Sequence, residues 1–372
     1  MRRMTELYIG LMSGTSLDGV DGVLADFSAS RPTVIRHASA TFAPDLRAEL
    51  LALNSPGGNE LHRAALAANA LARTYAQVAR ELLAGSGTPA AQVRAIGAHG
   101  QTVRHQPQAF DGTGYTLQLN SPALLAELTG IAVVADFRSR DLAAGGQGAP
   151  LAPGFHQGLF GRPGEIVCVL NLGGISNLSV LAPGDAVLGF DCGPGNALMD
   201  HWCQRHTGRP FDDGGAWAAS GQVLPGLLAE LQAEPYLALP PPKSTGRDLF
   251  NPAWLETRLA AHAAAVPADI QATLAEFTAS ACVAGMQRYG NRSKTLIVCG
   301  GGALNTHLMQ RLRDGLPGVA VASSAEQGLP PLQVEATAFA WLAHRTLQGK
   351  PGNLASVTGA RGGRILGAVY PA

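Results

Sequence analysis

Two short runs near the start of the chain predict strands: the apolar run Tyr8 to Met12, and Val20 to Phe27, in which Val20, Gly22 and Leu24 alternate with Asp21, Val23 and Ala25. Between them stands Gly14-Thr-Ser-Leu-Asp-Gly19. Its Asp18-Gly19 step predicts a tight hairpin turn, because such a turn needs positive φ and glycine supplies it without a steric cost. Thr33 to Thr41 predicts a third strand. The period then becomes helical. Leu61, Ala65, Ala68, Leu71, Tyr75, Val78 and Leu82 share one face of a helix over 61–83, with Gly85 as its stop. Arg94 to Ala98 predicts a strand leading into the polar run His99-Gly-Gln-Thr-Val-Arg-His105, read as a loop. A helix over 121–128 has Ser121 as N-cap and Pro122 at its first position, and a strand over 131–137 follows.

A Gly-rich stretch, 143–154, predicts a crossing between domains, after which the pattern restarts. Strands over 166–170 and 178–181 flank the turn Asn171-Leu-Gly-Gly-Ile-Ser-Asn177. A strand over 187–191 runs into Cys192-Gly-Pro-Gly-Asn196 and a helix to about His206. Ile270, Leu274, Phe277, Ala281 and Ala284 mark a long helix. Thr295 to Cys299 is a strand that meets Gly300-Gly-Gly302 and a helix from Ala303, and Val334 to Leu347 is the last helix. Strands followed by helices in two similar halves predict an α/β protein with a cleft between two lobes. The expected lobes are 1–140 with 345–372, and 141–344.

Composition narrows the function. The length, 372 residues, exceeds what one small core organises, so two domains are expected. Acidic and basic residues balance at 27 each, leaving no electrostatic case for a nucleic-acid groove or an anionic membrane surface. The 5 cysteines form no CxxC pair and predict buried free thiols in a reducing compartment. Arg2 and Arg3 precede an apolar stretch that breaks at Ser13 and Thr15, too short for a signal peptide, and no stretch reaches the length of a membrane span. A cytoplasmic protein is expected.

Three Gly-rich turns follow strands: 13–19, 192–196 and 300–302. Glycine lets backbone N–H groups approach phosphate oxygens, and the second and third turns also open helices, whose N-termini favour anions. Together they point to a nucleotide. No GxxxxGK run exists, and none of the lysines (Lys243, Lys294, Lys350) lies near a turn in the chain. Gly300 and Gly302 begin a GxGxxG pattern, but Asn305 holds its third glycine position. What remains is a site that grips phosphates with backbone amides, the hydroxyls of Ser13, Thr15 and Ser16, and a divalent metal, Mg²⁺. Asp18, Asp21 and Asp191 stand beside these turns, which repulsion disfavours unless a metal, a water or a substrate hydroxyl intervenes. Asp18 also reads as a turn residue, and Asp191 as a helix N-cap, although four residues separate it from Ala197. The run 99–105 reads as a sugar-binding loop or a plain surface loop. Pro240-Pro-Pro-Lys-Ser-Thr-Gly-Arg-Asp-Leu-Phe250 reads only as a loop.

These residues carry a resemblance. Tyr8 to Asp21, His99-Gly-Gln-Thr102, Asn171 to Asn177, Gly189 to Asn196, Pro241 to Arg247 and Cys299 to Asn305 together resemble the anhydro-N-acetylmuramic acid kinases, in order and over nearly the whole chain. Cys192 departs from the threonine expected in many members. The resemblance implies the two-lobed actin-like ATPase (ribonuclease H-like) fold with an interdomain cleft. It implies a homodimer that converts ATP, 1,6-anhydro-N-acetylmuramic acid and water to ADP and N-acetylmuramic acid 6-phosphate in peptidoglycan recycling. It also implies that Gly14, Thr15, Ser16, Leu17, Asp18, Gly19, Val20 and Asp21 hold ATP phosphates, that Gly300, Gly301 and Gly302 lie near the adenosine, and that Asp191 is the catalytic base. His99, Gln101, Thr102 and Glu335 are the expected substrate contacts, with Glu335 reading equally as a first-turn helix acid.

Overall fold

The computed structural model describes residues 5–183 and 187–372; Arg2 and Arg3, cited above against a signal peptide, lie outside them. Contacts divide the chain into two compact units, one formed up to Leu159 together with Leu332–Ala372, the other by Phe160–Pro331. The strands of the first part are β1 (Leu7–Met12), β2 (Gly19–Asp26), β3 (Thr33–Thr41), β4 (Val93–Ala98), β5 (Gln101–Pro107), β6 (Gly114–Leu119) and β7 (Val133–Ala135). Those that follow are β8 (Val167–Leu172), β9 (Ile175–Leu181), β10 (Val187–Pro194), β11 (Thr295–Cys299), β12 (Ala320–Ser323) and β13 (Ala368–Tyr370).

The first unit's main sheet has the order β13-β7-β4-β1-β2-β3, and the second unit's has β10-β9-β8-β11-β12. Each contains an antiparallel three-strand meander whose first strand, β1 or β8, pairs in parallel with a later strand, β4 or β11. The restart read from the sequence is therefore a repeated sheet plan, as the actin-like expectation requires. Both units are α/β.

Burial explains which faces pair. In the helix Glu60–Ser86, Leu71, Tyr75, Val78 and Leu82 are fully buried against the first sheet, about 1.5–3 kcal/mol for each apolar side chain. Leu61, assigned to that face by periodicity, is 90% exposed, because it sits in the first turn beyond the reach of the sheet. The helix ends at Gly87 in the left-handed region, one turn-defining glycine later than expected. On the other face, the helix Val334–Leu347 lies across β1 and β4 so closely that a Cβ at Gly10 would strike the Ala336 carbonyl and one at Gly97 the Phe339 carbonyl. Most of that helix was expected in the other lobe; it packs wholly within the first unit.

Other readings change. The 99–105 run is not a loop: from Gln101 it is strand β5, paired with β6. The strand expected over 131–137 shrinks to β7, since Asp136 turns into positive φ. Strand β10 continues to Pro194 by pairing with β9, so Cys192 and Gly193 lie in a bulged strand rather than a free turn. The helix after Gly300 starts as a 3₁₀ turn, Gly301–Leu304, and becomes regular at Thr306 under an N-cap from Asn305. All 5 cysteines are buried and free.

Candidate active site

In the first unit, β1 and β2 form the expected hairpin, with Met12 opposite Asp21. Its left-handed residue is Leu17, at φ 57°, and not Gly19. Leu17 accepts that conformation, about 1–2 kcal/mol uphill, because its side chain is buried and its carbonyl accepts a 3.0 Å hydrogen bond from Arg47 Nε. Gly19 is required for a different reason: a Cβ there would run into the Ala40 carbonyl of β3. At Gly14 the nearest atom to such a Cβ is 3.6 Å away. The fold itself tolerates a side chain at Gly14.

The turn rests on a polar scaffold. Ser13 is fully buried; its Oγ lies 2.9 Å from Tyr75 Oη and donates to the Gly100 carbonyl at 3.1 Å. Tyr75 Oη also accepts from Gly100 N at 3.1 Å. Gln101 Nε2 donates to the Gly14 carbonyl at 3.0 Å. His99 Nδ1 meets the Ser13 carbonyl at 3.0 Å, and Nε2 meets Arg138 at 2.9 Å. Burial, aided by the Arg138 charge, lowers the His99 pKa to about 3. The ring is neutral, so Nδ1 carries the proton toward the carbonyl and Nε2 accepts from the guanidinium. Both nitrogens are engaged within the chain. Exposed Asp18 accepts from Ser16 Oγ at 2.7 Å, and Asp21 Oδ1 lies 3.1 Å from His37 Nε2.

Next to the scaffold, two polar side chains have atoms that find no partner among the described residues. Gln101 Oε1 is buried and unpaired, and so are both side-chain polar atoms of Asn120. Gln101 pairs with Leu119 across β5 and β6, and Asn120 follows directly. An unpaired buried polar group costs about 1–3 kcal/mol, which a ligand hydroxyl or amide would recover. Thr102 Oγ1 accepts from Gln118 at 3.1 Å. Glu335 occupies the first turn of Val334–Leu347. That helix runs antiparallel to β1: its start lies over Gly10, while His344 near its end stacks on Phe27 and meets Tyr8 edge-on. Glu335 thus stands at the end of the sheet that carries the 13–18 turn.

In the second unit, Asp191 sits on β10 and is 7% exposed. Its amide donates to the Lys243 carbonyl at 3.2 Å, its carbonyl accepts from Tyr236 Oη at 3.0 Å, and its Oδ2 accepts from Thr245 N at 2.9 Å. The 240–250 segment, which by composition reads only as a loop, is the clamp on this carboxylate. It also brings a lysine to β10, against the expectation that none stands near the turns. Burial lowers the Lys243 pKa, while burial and then the nearby Asp191 charge raise that of Tyr236. Asp191 is no N-cap: Asn196 holds that position for the helix Ala197–Thr207.

The turn ends of this sheet converge. Gly195 N and Asn196 N donate to the carbonyls of Gly174 and Gly173, and Asn196 Nδ2 donates to the Leu172 carbonyl at 3.1 Å. Gly300, at φ 79°, and Gly302 each leave no room for a Cβ beside Leu172. Gly301 is exposed, and like half-buried Gly14 it has no atom nearer than 3.6 Å to an added Cβ. Sequence reasoning missed Tyr75, Arg138, Asn120, Tyr236 and Thr245. Tyr75 left a signal, a hydroxyl on an otherwise apolar helix face, and Thr245 lay within the Pro241–Arg247 segment that carries the resemblance.

Three comparisons bear on this arrangement. The family model described as Anhydro-N-acetylmuramic acid kinase matches residues 6–372. A protein named anhydro-N-acetylmuramic acid kinase from Variovorax paradoxus (strain S110) is 73% identical, over 99% of each chain. Its namesake from Albidiferax ferrireducens is 62% identical over 99% of this chain and 100% of its own. Among solved structures, the activator of the 2-hydroxyisocaproyl-CoA dehydratase from Clostridium difficile with bound ADPNP aligns with 92% of this chain and 96% of its own, at 12% identity and a TM-score of 0.49.

Proposed function

The chain belongs to the anhydro-N-acetylmuramic acid kinase family, and from that premise we propose how its residues divide the reaction. The enzyme is a phosphotransferase of cell-wall recycling. ATP, water and 1,6-anhydro-N-acetylmuramic acid give ADP and N-acetylmuramic acid 6-phosphate. Water attacks C1 while the C1–O6 bond breaks, and O6 takes the γ-phosphoryl group of ATP, which leaves as ADP. Inverting glycoside hydrolysis needs a carboxylate to activate water and an acid to protonate the leaving oxygen. Here phosphoryl transfer to O6 takes the place of the acid, so one base suffices.

Asp191 is that base, accepting a proton from the attacking water. The observation that carries this assignment is the clamp: both peptide groups flanking Asp191 and one carboxylate oxygen are held, which fixes the direction of the carboxylate. Gly14 to Asp21 holds the ATP phosphates, with open Gly14 admitting them to the backbone amides. Gly300 to Gly302 lies by the adenosine, with Gly301 the open position. Gln101 and Thr102, joined by Asn120, hydrogen-bond the sugar, and Glu335 contacts it at the same end of the sheet. His99 serves that side by holding the turn, since its ring nitrogens are engaged.

Mg²⁺ would neutralise phosphate charge. Asp18 and Asp21 are the carboxylates of the turn fit to hold it or its waters, and such a pair suits a metal borne mainly by phosphates. Free buried thiols suit a cytoplasmic enzyme, and no helix among the described residues is long and apolar enough to cross a membrane. A homodimer is proposed on family resemblance.

The test is incubation of the chain with ATP, Mg²⁺ and the anhydro sugar in ¹⁸O-water. Ring-opened 6-phosphate with label at C1 and none in the phosphate supports the coupled mechanism. A phosphorylated product with the anhydro ring intact defeats it.

A further inference from the structure

Strand β10 presents Phe190 and Cys192 to one face and Asp191 to the other. On the Phe190 face, the helix Pro267–Tyr289 packs against the strand at Gly285, where a Cβ would lie 3.3 Å from Cys192 Sγ, and leaves a gap beside that contact. A cavity of about 230 Å³ remains. Its wall is apolar, built chiefly from Phe190, Leu237, Phe277 and Ala281. Two cations, Lys243 and Arg288, complete the lining.

Of these cations, Lys243 is the unusual one, because it is buried while Arg288 is exposed. Lys243 is 7% exposed. Its ammonium donates to the carbonyls of Tyr236 and Leu237 at 3.3 and 3.1 Å and lies 4.7 Å from the Tyr236 ring centroid. Arg288 Nη1 reaches the Ala238 carbonyl at 3.4 Å. Among the described residues neither cation makes an ion pair with a carboxylate, although the Asp191 charge acts on Lys243 from a distance. Each cation also feels the other, a repulsion that an anion between them would relieve. The Tyr289 hydroxyl, also on the lining, is buried and finds no hydrogen-bond partner among the described residues.

We propose that this cavity is a second ligand site, separate from the Asp191 face, for a small amphipathic anion: a carboxylate carrying a compact apolar or aromatic body. The carboxylate binds Lys243 and Arg288, and the apolar body fills the space against Phe190 and Phe277. The volume lies below the range of about 300–1,000 Å³ usual for drug-sized ligands, so the occupant is a small molecule. Lys243 links this site to the catalytic strand, because its carbonyl holds the Asp191 amide.

The experiment titrates 3-phenylpropanoate, and separately the uncharged 3-phenylpropanol, into the full chain by calorimetry. The acid is expected to bind at one site per chain and the alcohol about tenfold more weakly, the scale of a hydrogen bond to a charged group. Arg288→Gln should weaken the acid by a similar factor. Ala284→Trp, on an exposed lining position that tolerates bulk, should abolish binding. Absence of acid binding to the wild-type chain at millimolar concentration overturns the proposal. Equal affinity for acid and alcohol overturns the anionic assignment, and undiminished binding to a folded Ala284→Trp chain places the ligand elsewhere and overturns the site.

Discussion

Thr245 N donates a 2.9 Å hydrogen bond to Asp191 Oδ2 across 54 residues of chain. Together with the Lys243 carbonyl on the Asp191 amide and the Tyr236 hydroxyl on its carbonyl, this bond sets where the carboxylate points.

Asp191→Asn keeps the shape and removes the base. Turnover should fall by about 10²–10⁴-fold, the usual worth of general base catalysis. Nucleotide affinity, measured by calorimetry, should stay within about twofold of wild type. Lost ATP binding would instead reassign Asp191 to the metal or to folding.

Thr245→Pro removes the amide proton, and Thr245→Ala keeps it. The proline variant should lose about tenfold or more in kcat, since a hydrogen bond to a charged group is worth about 1.5–3 kcal/mol. The alanine variant should stay near wild type. Equal loss in both would mean that the side chain, not the amide, matters.

Gly14 and Gly19 separate ligand from fold. Gly14→Ala should raise the KM for ATP severalfold and leave the melting temperature nearly unchanged, because no atom lies within 3.4 Å of the new methyl. Gly19→Ala should lower the melting temperature, because the methyl meets the Ala40 carbonyl. Paired thermal melts and steady-state kinetics read both.

Tyr75→Phe deletes the hydroxyl that joins Ser13 Oγ to Gly100 N and leaves both in the core. The expected loss is about 1–3 kcal/mol of stability, measured by urea unfolding. A cost near zero would show that the scaffold repairs itself.

Burial holds His99 neutral, with its pKa lowered to about 3. The unfolded histidine, near 6.5, binds a proton that the folded one refuses, so stability rises with pH through this interval. The contribution is complete above pH 6.5 and is lost as pH falls from there toward 3. His105 and His156, lowered to about 4 and about 3, act in the same sense. Melting temperatures between pH 7 and pH 4 should therefore fall, and less steeply in His99→Gln than in wild type. Parallel slopes would show that His99 is not among the buried groups responsible.

The sequence by itself determined the repeated strand plan, the opening hairpin, the position of Asp191 and the family. Each is written locally. Periodicity of two or 3.6 residues reports which face is buried, and the motifs occupy consecutive positions. It even showed that no lysine adjoins the turns in the chain, yet it could not place Lys243 beside β10. What only the tertiary structure decided are relations between segments far apart in sequence: Thr245 and Lys243 on Asp191, Tyr75 beneath Ser13, and His99 turned inward to hold the turn. It also moved the positive φ from Gly19 to Leu17, whose buried side chain and Arg47-bonded carbonyl fix a conformation that local propensity disfavours. Hydrogen bonds of this kind leave no period in the chain. They follow from which buried donors and acceptors meet once the sheets and helices have packed.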